Sequence, residues 1–191
     1  GSLDMMFDGD GMLTTDFGGG TDYGRSVIQQ TDGKLLVGGH SNYDFAVVRF
    51  NTDGSLDATF DGDGKVTADF SGSTDQANSV IQQVDGRLVV AGDIHSSITG
   101  TDFALLRYNS DGSLDATFSG TGKVITSIGI SGSEVNSVIQ QADGKLVAAG
   151  RSTNGGGIAN FALVRYNSNG SLDTTFDGDG KVDTAIGASH G

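Results

Sequence analysis

The sequence predicts an all-β chain, a β-propeller-like array of four-stranded antiparallel blades with three blades and one surplus strand. Three observations predict it. The stretch GSLDATFDGDGKV at Gly54–Val66 recurs as GSLDMMFDGDGML at Gly1–Leu13, GSLDATFSGTGKV at Gly112–Val124 and GSLDTTFDGDGKV at Gly170–Val182. Self-similarity at this period marks units that cannot bury their apolar faces alone and must stack on neighbours. An Asp-Gly pair separates two apolar runs in every copy, at Asp32-Gly33, Asp85-Gly86 and Asp143-Gly144, which is a strong short-range hairpin signal. Finally, Leu35-Leu36-Val37, Leu88-Val89-Val90-Ala91 and Phe103-Ala104-Leu105-Leu106 are continuous apolar runs, whereas a sheet wetted on one face would alternate. Sheets covered on both faces by like sheets are propeller blades.

The elements follow in order within each copy. A first strand is expected at Gly11–Phe17, Lys65–Phe70 and Lys123–Ile128, with Lys181–Ile186 opening a fourth copy. The SVIQQ run forms the second at Ser26–Gln30, Ser79–Gln83 and Ser137–Gln141. After the Asp-Gly pair, expected here to be a type I′ turn, comes the third at Lys34–Gly38, Arg87–Ala91 and Lys145–Ala149. The fourth is Phe45–Phe50, Phe103–Tyr108 and Phe161–Tyr166, and a turn leads on. The copies span 2–54, 55–112 and 113–170, with 171–191 a partial fourth, in a single repeat domain. No 3.6-residue period supports helices, and a β-solenoid would not place one hairpin per copy. Beginning on the repeat's own Gly-Ser and stopping inside a fourth copy, the chain reads as a piece of a longer array.

Composition removes several function classes. The formal charge is −13 with only 11 Lys+Arg, too few cations to displace counterions from nucleic acid or to hold an anionic membrane surface. With no cysteine, thiol catalysis and disulfides are out. No apolar run approaches the ~18 residues of a spanning helix, so membrane insertion is not expected. His40, His95 and His190 have no metal-ligand spacing, and no Gly-x-Ser-x-Gly elbow leads into a helix. The chain therefore reads as not an enzyme.

Two repeating sets invite chemistry. Arg49, Arg107 and Arg165 on the fourth strand, with Asp4, Asp57, Asp115 and Asp173 of SLD, read as Arg–Asp pairs bridging adjacent blades rather than an anion-gripping ring, because a position alike in every unit of a stack serves the stacking. The Gln29-Gln30 pair and its copies read the same way. Asp57, Asp61 and Asp63 resemble the start of a calcium loop, but no acidic residue follows at the twelfth place, and an ordinary glycine-rich turn is the stronger reading. Variation is concentrated elsewhere: between the third and fourth strands copy one has only His40–Tyr43, where copies two and three have Asp93–Thr101 and Arg151–Ala159. Repeat scaffolds confine insertions to one face, often the binding face, so His40, Tyr43, Ile94, His95 and Arg151 are the candidate ligand contacts.

The series SLDxTFxGxGKV, SVIQQxDGKLVVAG and DFALVRYNxDG resembles the delta-60 repeat, a bacterial tandem repeat, over essentially the whole chain. The resemblance implies a propeller-like fold and an extracellular or cell-surface setting. The expected function is a non-catalytic exported binding or adhesion module without cofactor, taking a glycan or protein ligand. The alternatives are a structural spacer or the accessory domain of an enzyme. Because propellers close with about four to eight blades, three should self-associate through their open faces, as a homodimer completing a ring.

Overall fold

The computed structural model describes residues 1–70, 74–96, 100–153 and 157–185. Among them lie twelve strands in three four-stranded antiparallel sheets and no helix long and apolar enough to cross a membrane. The first sheet is β1 (Asp22–Gln29), β2 (Leu35–Ser41), β3 (Asp44–Phe50) and β4 (Lys65–Ala68). The second is β5 (Thr74–Gln82), β6 (Leu88–Ser96), β7 (Gly100–Tyr108) and β8 (Lys123–Thr126). The third is β9 (Ser133–Gln140), β10 (Leu146–Thr153), β11 (Ala159–Tyr166) and β12 (Lys181–Thr184). Strand order follows the chain in each.

This settles the phase of the blades. Lys181–Thr184 pairs with β11 and finishes the third sheet, so the short KV strand ends a blade rather than starting one. The surplus segment is Gly11–Phe17, which has no ladder partner among the described residues. It is nevertheless placed as the end of a preceding blade would be. Just before it, Asp8 N–H donates to the Asp53 carbonyl at 2.8 Å, as Asp61 N–H does to Asp111 at 2.7 Å, and within it the Asp16 carbonyl accepts Lys65 Nζ at 2.6 Å, as Asp69 accepts Lys123.

The hairpins stand where the Asp-Gly pairs put them, but the turn differs from the expected type I′. Gly33 N–H donates to the Gln30 carbonyl at 2.9 Å and Gln30 N–H to Lys34 at 2.8 Å, leaving Thr31-Asp32-Gly33 as a three-residue loop. Only the glycine has positive φ, 88° at Gly33, 85° at Gly86 and 84° at Gly144. That is a type I turn closed by a glycine bulge. The two-residue loop with positive φ at both positions is instead Asn42-Tyr43, at 49° and 73°, joining Ser41 to Asp44.

Each first strand also carries a bulge, between Gly24 and Ser26, between Ala77 and Ser79, and opposite Ala149/Gly150. The bulge drives a carbonyl into the neighbouring strand, where only glycine fits. A Cβ on Gly39, Gly92 or Gly150 would stand 1.7–1.8 Å from the carbonyl oxygens of Tyr23, Gln76 and Glu134.

Two apolar layers hold the sheets together. Leu36, Phe45 and Val47 meet Val80, Leu88, Val90, Leu106 and Tyr108 between the first and second. Val89, Ala91, Phe103 and Leu105 meet Val138, Leu146, Ala148, Val164 and Tyr166 between the second and third. Alternate residues of one strand, Leu88/Val90 and Val89/Ala91, thus enter opposite layers, which is why β6 is apolar throughout. The outer sheets keep one face open: Val27 is 64% exposed on β1, Ile139 56% on β9 and Phe161 65% on β11.

Candidate functional site

The seams between sheets are built from the repeat's own polar residues. Ser26 Oγ accepts Val80 N–H and Ser79 Oγ accepts Val138 N–H, both at 3.2 Å. The glutamines run the other way, Gln82 accepting from Thr31 N–H and Gln140 from Val84 N–H, both at 3.0 Å. These links are the stacking role expected of the SVIQQ run.

The Arg–Asp pairs form as expected but not across the seam. Arg49 Nε holds Asp57 at 2.6 Å, Arg107 Nε holds Asp115 at 2.7 Å and Arg165 Nε holds Asp173 at 2.7 Å, each inside one blade, between its third strand and the following connection. Bridging falls to the other arm of the guanidinium: Arg49 Nη1 reaches the Ser110 carbonyl in the next blade at 2.5 Å, and Arg107 Nη1 reaches Ser168. Each guanidinium also lies over a ring, Phe60, Phe118 or Phe176, at 4.5–4.6 Å. Burial opposes ionisation of Asp57, yet Lys34, Thr59 and Arg49 hold its carboxyl well below the usual carboxylate range. A loaded Asp of this kind has no lone pair to spare for an anion's counterion or a metal.

This bears on the calcium candidates. Asp61 sits at φ 50° with its N–H given to Asp111, and Asp63 accepts Lys65 N–H at 2.9 Å in a local turn. Asp57, Asp61 and Asp63 are not brought together. Among the described residues the group of three carboxylates within ligand reach of one another is Asp44, Asp69 and Asp75. Sequence reasoning passed over them because they belong to two blades and 32 positions of chain. The available signal was an Asp immediately before a core phenylalanine in both Asp44-Phe45 and Asp69-Phe70.

At the variable end, the residue after each close-approach glycine is the one that changes: His40, Asp93 and Arg151. His40 is 8% exposed, lies 4.8 Å from the Tyr23 ring, and has a buried Nδ1 without a hydrogen-bond partner; burial, then Arg25, pushes its pKa down. Tyr43 is 65% exposed and holds a left-handed backbone that costs an aromatic residue about 1 kcal/mol. His40, Tyr23 and Tyr43 share one pocket with Gly20, Thr21 and Asn42. The other candidates do not join them. Ile94 is a correction, 4% exposed in the core between the first two sheets; it follows Asp93 on β6, and its side chain points inward. His95 is exposed and pairs with Thr101 at 3.2 Å. Arg151 is clasped by Glu134 at 3.0 and 2.5 Å on the third sheet. His190 and the loop tips at 71–73, 97–99 and 154–156 lie outside the described residues.

Beside that pocket, the open face of the first sheet forms a groove of about 350 Å³. Val37, Val48 and Phe50 line its floor, and Phe7, Leu13 and Phe17 of the N-terminal stretch form one wall.

No curated protein matches this chain. The family model described as a domain of unknown function (DUF5122) β-propeller matches residues 30–60, 83–118 and 141–176, each match running from the hairpin turn through the Arg–Asp pair to the phenylalanine beneath it. These matches cover more than half of the sequence and fall on the three sheets in turn, so the chain belongs to the DUF5122 β-propeller family.

Proposed function

We propose that the chain is a non-catalytic binding module of the propeller class that first binds its own kind, the open face of the third sheet in one copy seating on the open face of the first sheet in another. The observation that carries this is the groove over β1–β3, whose lining repeats the side of an interior seam. Val27, Val48 and Phe50 stand where Val80, Leu106 and Tyr108 meet a preceding sheet, and Ile139 and Phe161 stand where Ile81 and Phe103 meet a following one. The polar groups correspond as well: Ser137 hydroxyl for Val27 N–H, and Arg165 for the Thr52 carbonyl. Full seating requires residues 170–185 of the incoming copy to take the place of Gly1–Asp16, their repeat equivalent. Two such contacts close six sheets, within the usual range for propellers.

The assembled ring presents the strained Tyr43, His40 and Tyr23 on its loop end, and that pocket is the place for a glycan or protein ligand. Strained exposed residues cluster at ligand sites, which supports this choice. The resemblance to the delta-60 repeat supports an extracellular or cell-surface setting and an adhesive role. Light scattering at micromolar concentration should give a dimer, and Val27→Glu or Phe161→Glu should return it to monomer with unchanged circular dichroism. A wild-type chain that stays monomeric, or a dimer indifferent to both substitutions, overturns the reading.

A further inference from the structure

The seam between the first and second sheets holds three carboxylates that the stacking does not need. Asp44 opens β3, Asp69 follows β4 and Asp75 lies near the start of β5, and one oxygen of each is within 4.8 Å of the other two. The backbone fixes them there: Asp75 N–H donates to the Tyr43 carbonyl across the seam at 2.5 Å, and Asp75 Oδ2 accepts Phe70 N–H at 2.8 Å. Asp75 is 1% exposed, yet its Oδ1 has no hydrogen-bond partner. A buried, ionisable oxygen without a partner is costly and calls for an occupant.

Charge points to the kind of occupant. Lys123 is the cation that faces Asp44 and Asp75, and its ammonium rests on the Asp69 carbonyl at 2.5 Å. The three carboxyl groups outnumber it. The donors narrow the choice further. Carboxylate oxygens are hard ligands, and calcium accepts them in irregular geometry, whereas magnesium demands a near-ideal octahedron and keeps several of its waters.

The next seam serves as a built-in comparison. In repeat register Asp44, Asp69 and Asp75 become Asp102, Ser127 and Ser133, so two of the three carboxylates are hydroxyls there. Both seams pack the same apolar layer, and the stacking is therefore independent of the acidic trio.

We infer that Asp44, Asp69 and Asp75 form a calcium site that ties the first blade to the second. The site is separate from the glycine-rich turns at Asp57–Asp63 and from the open end faces. It makes the ion a reporter of seam integrity, because its ligands come from both sides.

Calcium chloride titrated into the full chain, after chelation and at neutral pH, tests it. Isothermal calorimetry should show one saturable ion per chain, and the thermal midpoint should rise with calcium by mass action. Asp75→Asn and Asp44→Asn should each weaken binding by at least about tenfold, the scale even of outer-shell losses at metal sites. Asp61→Asn should leave it unchanged. Magnesium at the same concentration should give a smaller midpoint shift. A flat titration, or binding that survives Asp75→Asn and Asp44→Asn while Asp61→Asn removes it, overturns the inference. Should Asp75→Asn fold poorly, the partly exposed Asp44→Asn decides the question by the same loss of binding.

Discussion

Asp93 sets the molecule's response to pH in a sense opposite to that of the Arg-bound aspartates. It is pushed up to about 6, chiefly by burial and then by Glu134, with Asn78 donating to it at 2.6 Å. The folded state thus holds a proton that the unfolded chain, with an ordinary carboxyl near 3.8, has already released. Its contribution is favourable below that ordinary value and is lost as pH rises through 6. Asp57, Asp115 and Asp173 are lowered, so theirs is present above the ordinary value and lost on acidification. Replacing Asp93 by Asn should therefore raise the thermal midpoint at pH 7 and leave it unchanged at pH 4; the difference between variant and wild type across pH 4–7 checks this, and a difference independent of pH would contradict it. At this scale the sequence was partly readable. A residue pair repeated with constant spacing, such as Arg49 and Asp57, declares a structural bond, and so it proved. The bridging arm did not declare itself, because its acceptor is a main-chain carbonyl that any residue supplies. Asp44, Asp69 and Asp75 were hidden for a related reason: two of them have serine in the equivalent place one blade on, so repetition carries no mark of them.

Among the elements, the first strands matter most, since β5 lies against all of β1, β2 and β3, and β9 against β5, β6 and β7. Their bulges press a carbonyl onto the glycine of the next strand. Gly92→Ala should cost about 1–3 kcal/mol, as inserted volume does in a packed interior, with a matching loss of midpoint in urea. A Gly62→Ala control touches nothing within 4 Å, and its positive φ of 90° should cost it about 1 kcal/mol. Strand positions were legible from apolar runs and turn residues, and all three hairpins stand where they were placed. The turn type was not. Asp-Gly fits either a two-residue or a three-residue loop, and the choice depends on Gln29 pairing with Leu35, a register set by the bulge upstream. The irregular state of Gly11–Phe17 was equally unreadable, because Met12-Leu13-Thr14-Thr15 is as compatible with a strand as its equivalent Lys65-Val66-Thr67-Ala68, and what it lacks is a neighbouring strand to pair with.

For the whole molecule, burial is uneven in a way that predicts its dynamics. The second sheet has neighbours on both faces, while each outer sheet has one. Stability in a stack is a sum of units and nearest-neighbour interfaces, so the ends open first. Native-state hydrogen exchange should find β6 and β7 slowest and β1 and β12 fastest, with dimerisation narrowing the gap; uniform protection would show a single cooperative block instead. The sequence announced a stack and a count of three, but not which short strand finishes a blade, since a cyclic repeat has no intrinsic starting point. A last consequence lies in the left-handed residues of the glycine-rich turns, Asp8, Asp61, Ser119 and Asp177. Three of them hand their amide to a carbonyl in the adjoining blade, and Ser119 does so as well as Asp61. The coupling is written in main-chain atoms and is indifferent to the side chain that hangs there. Copies are therefore free to drift apart in sequence while remaining interchangeable as masonry, and an engineer could lengthen the row by splicing in another course without recutting the mortar.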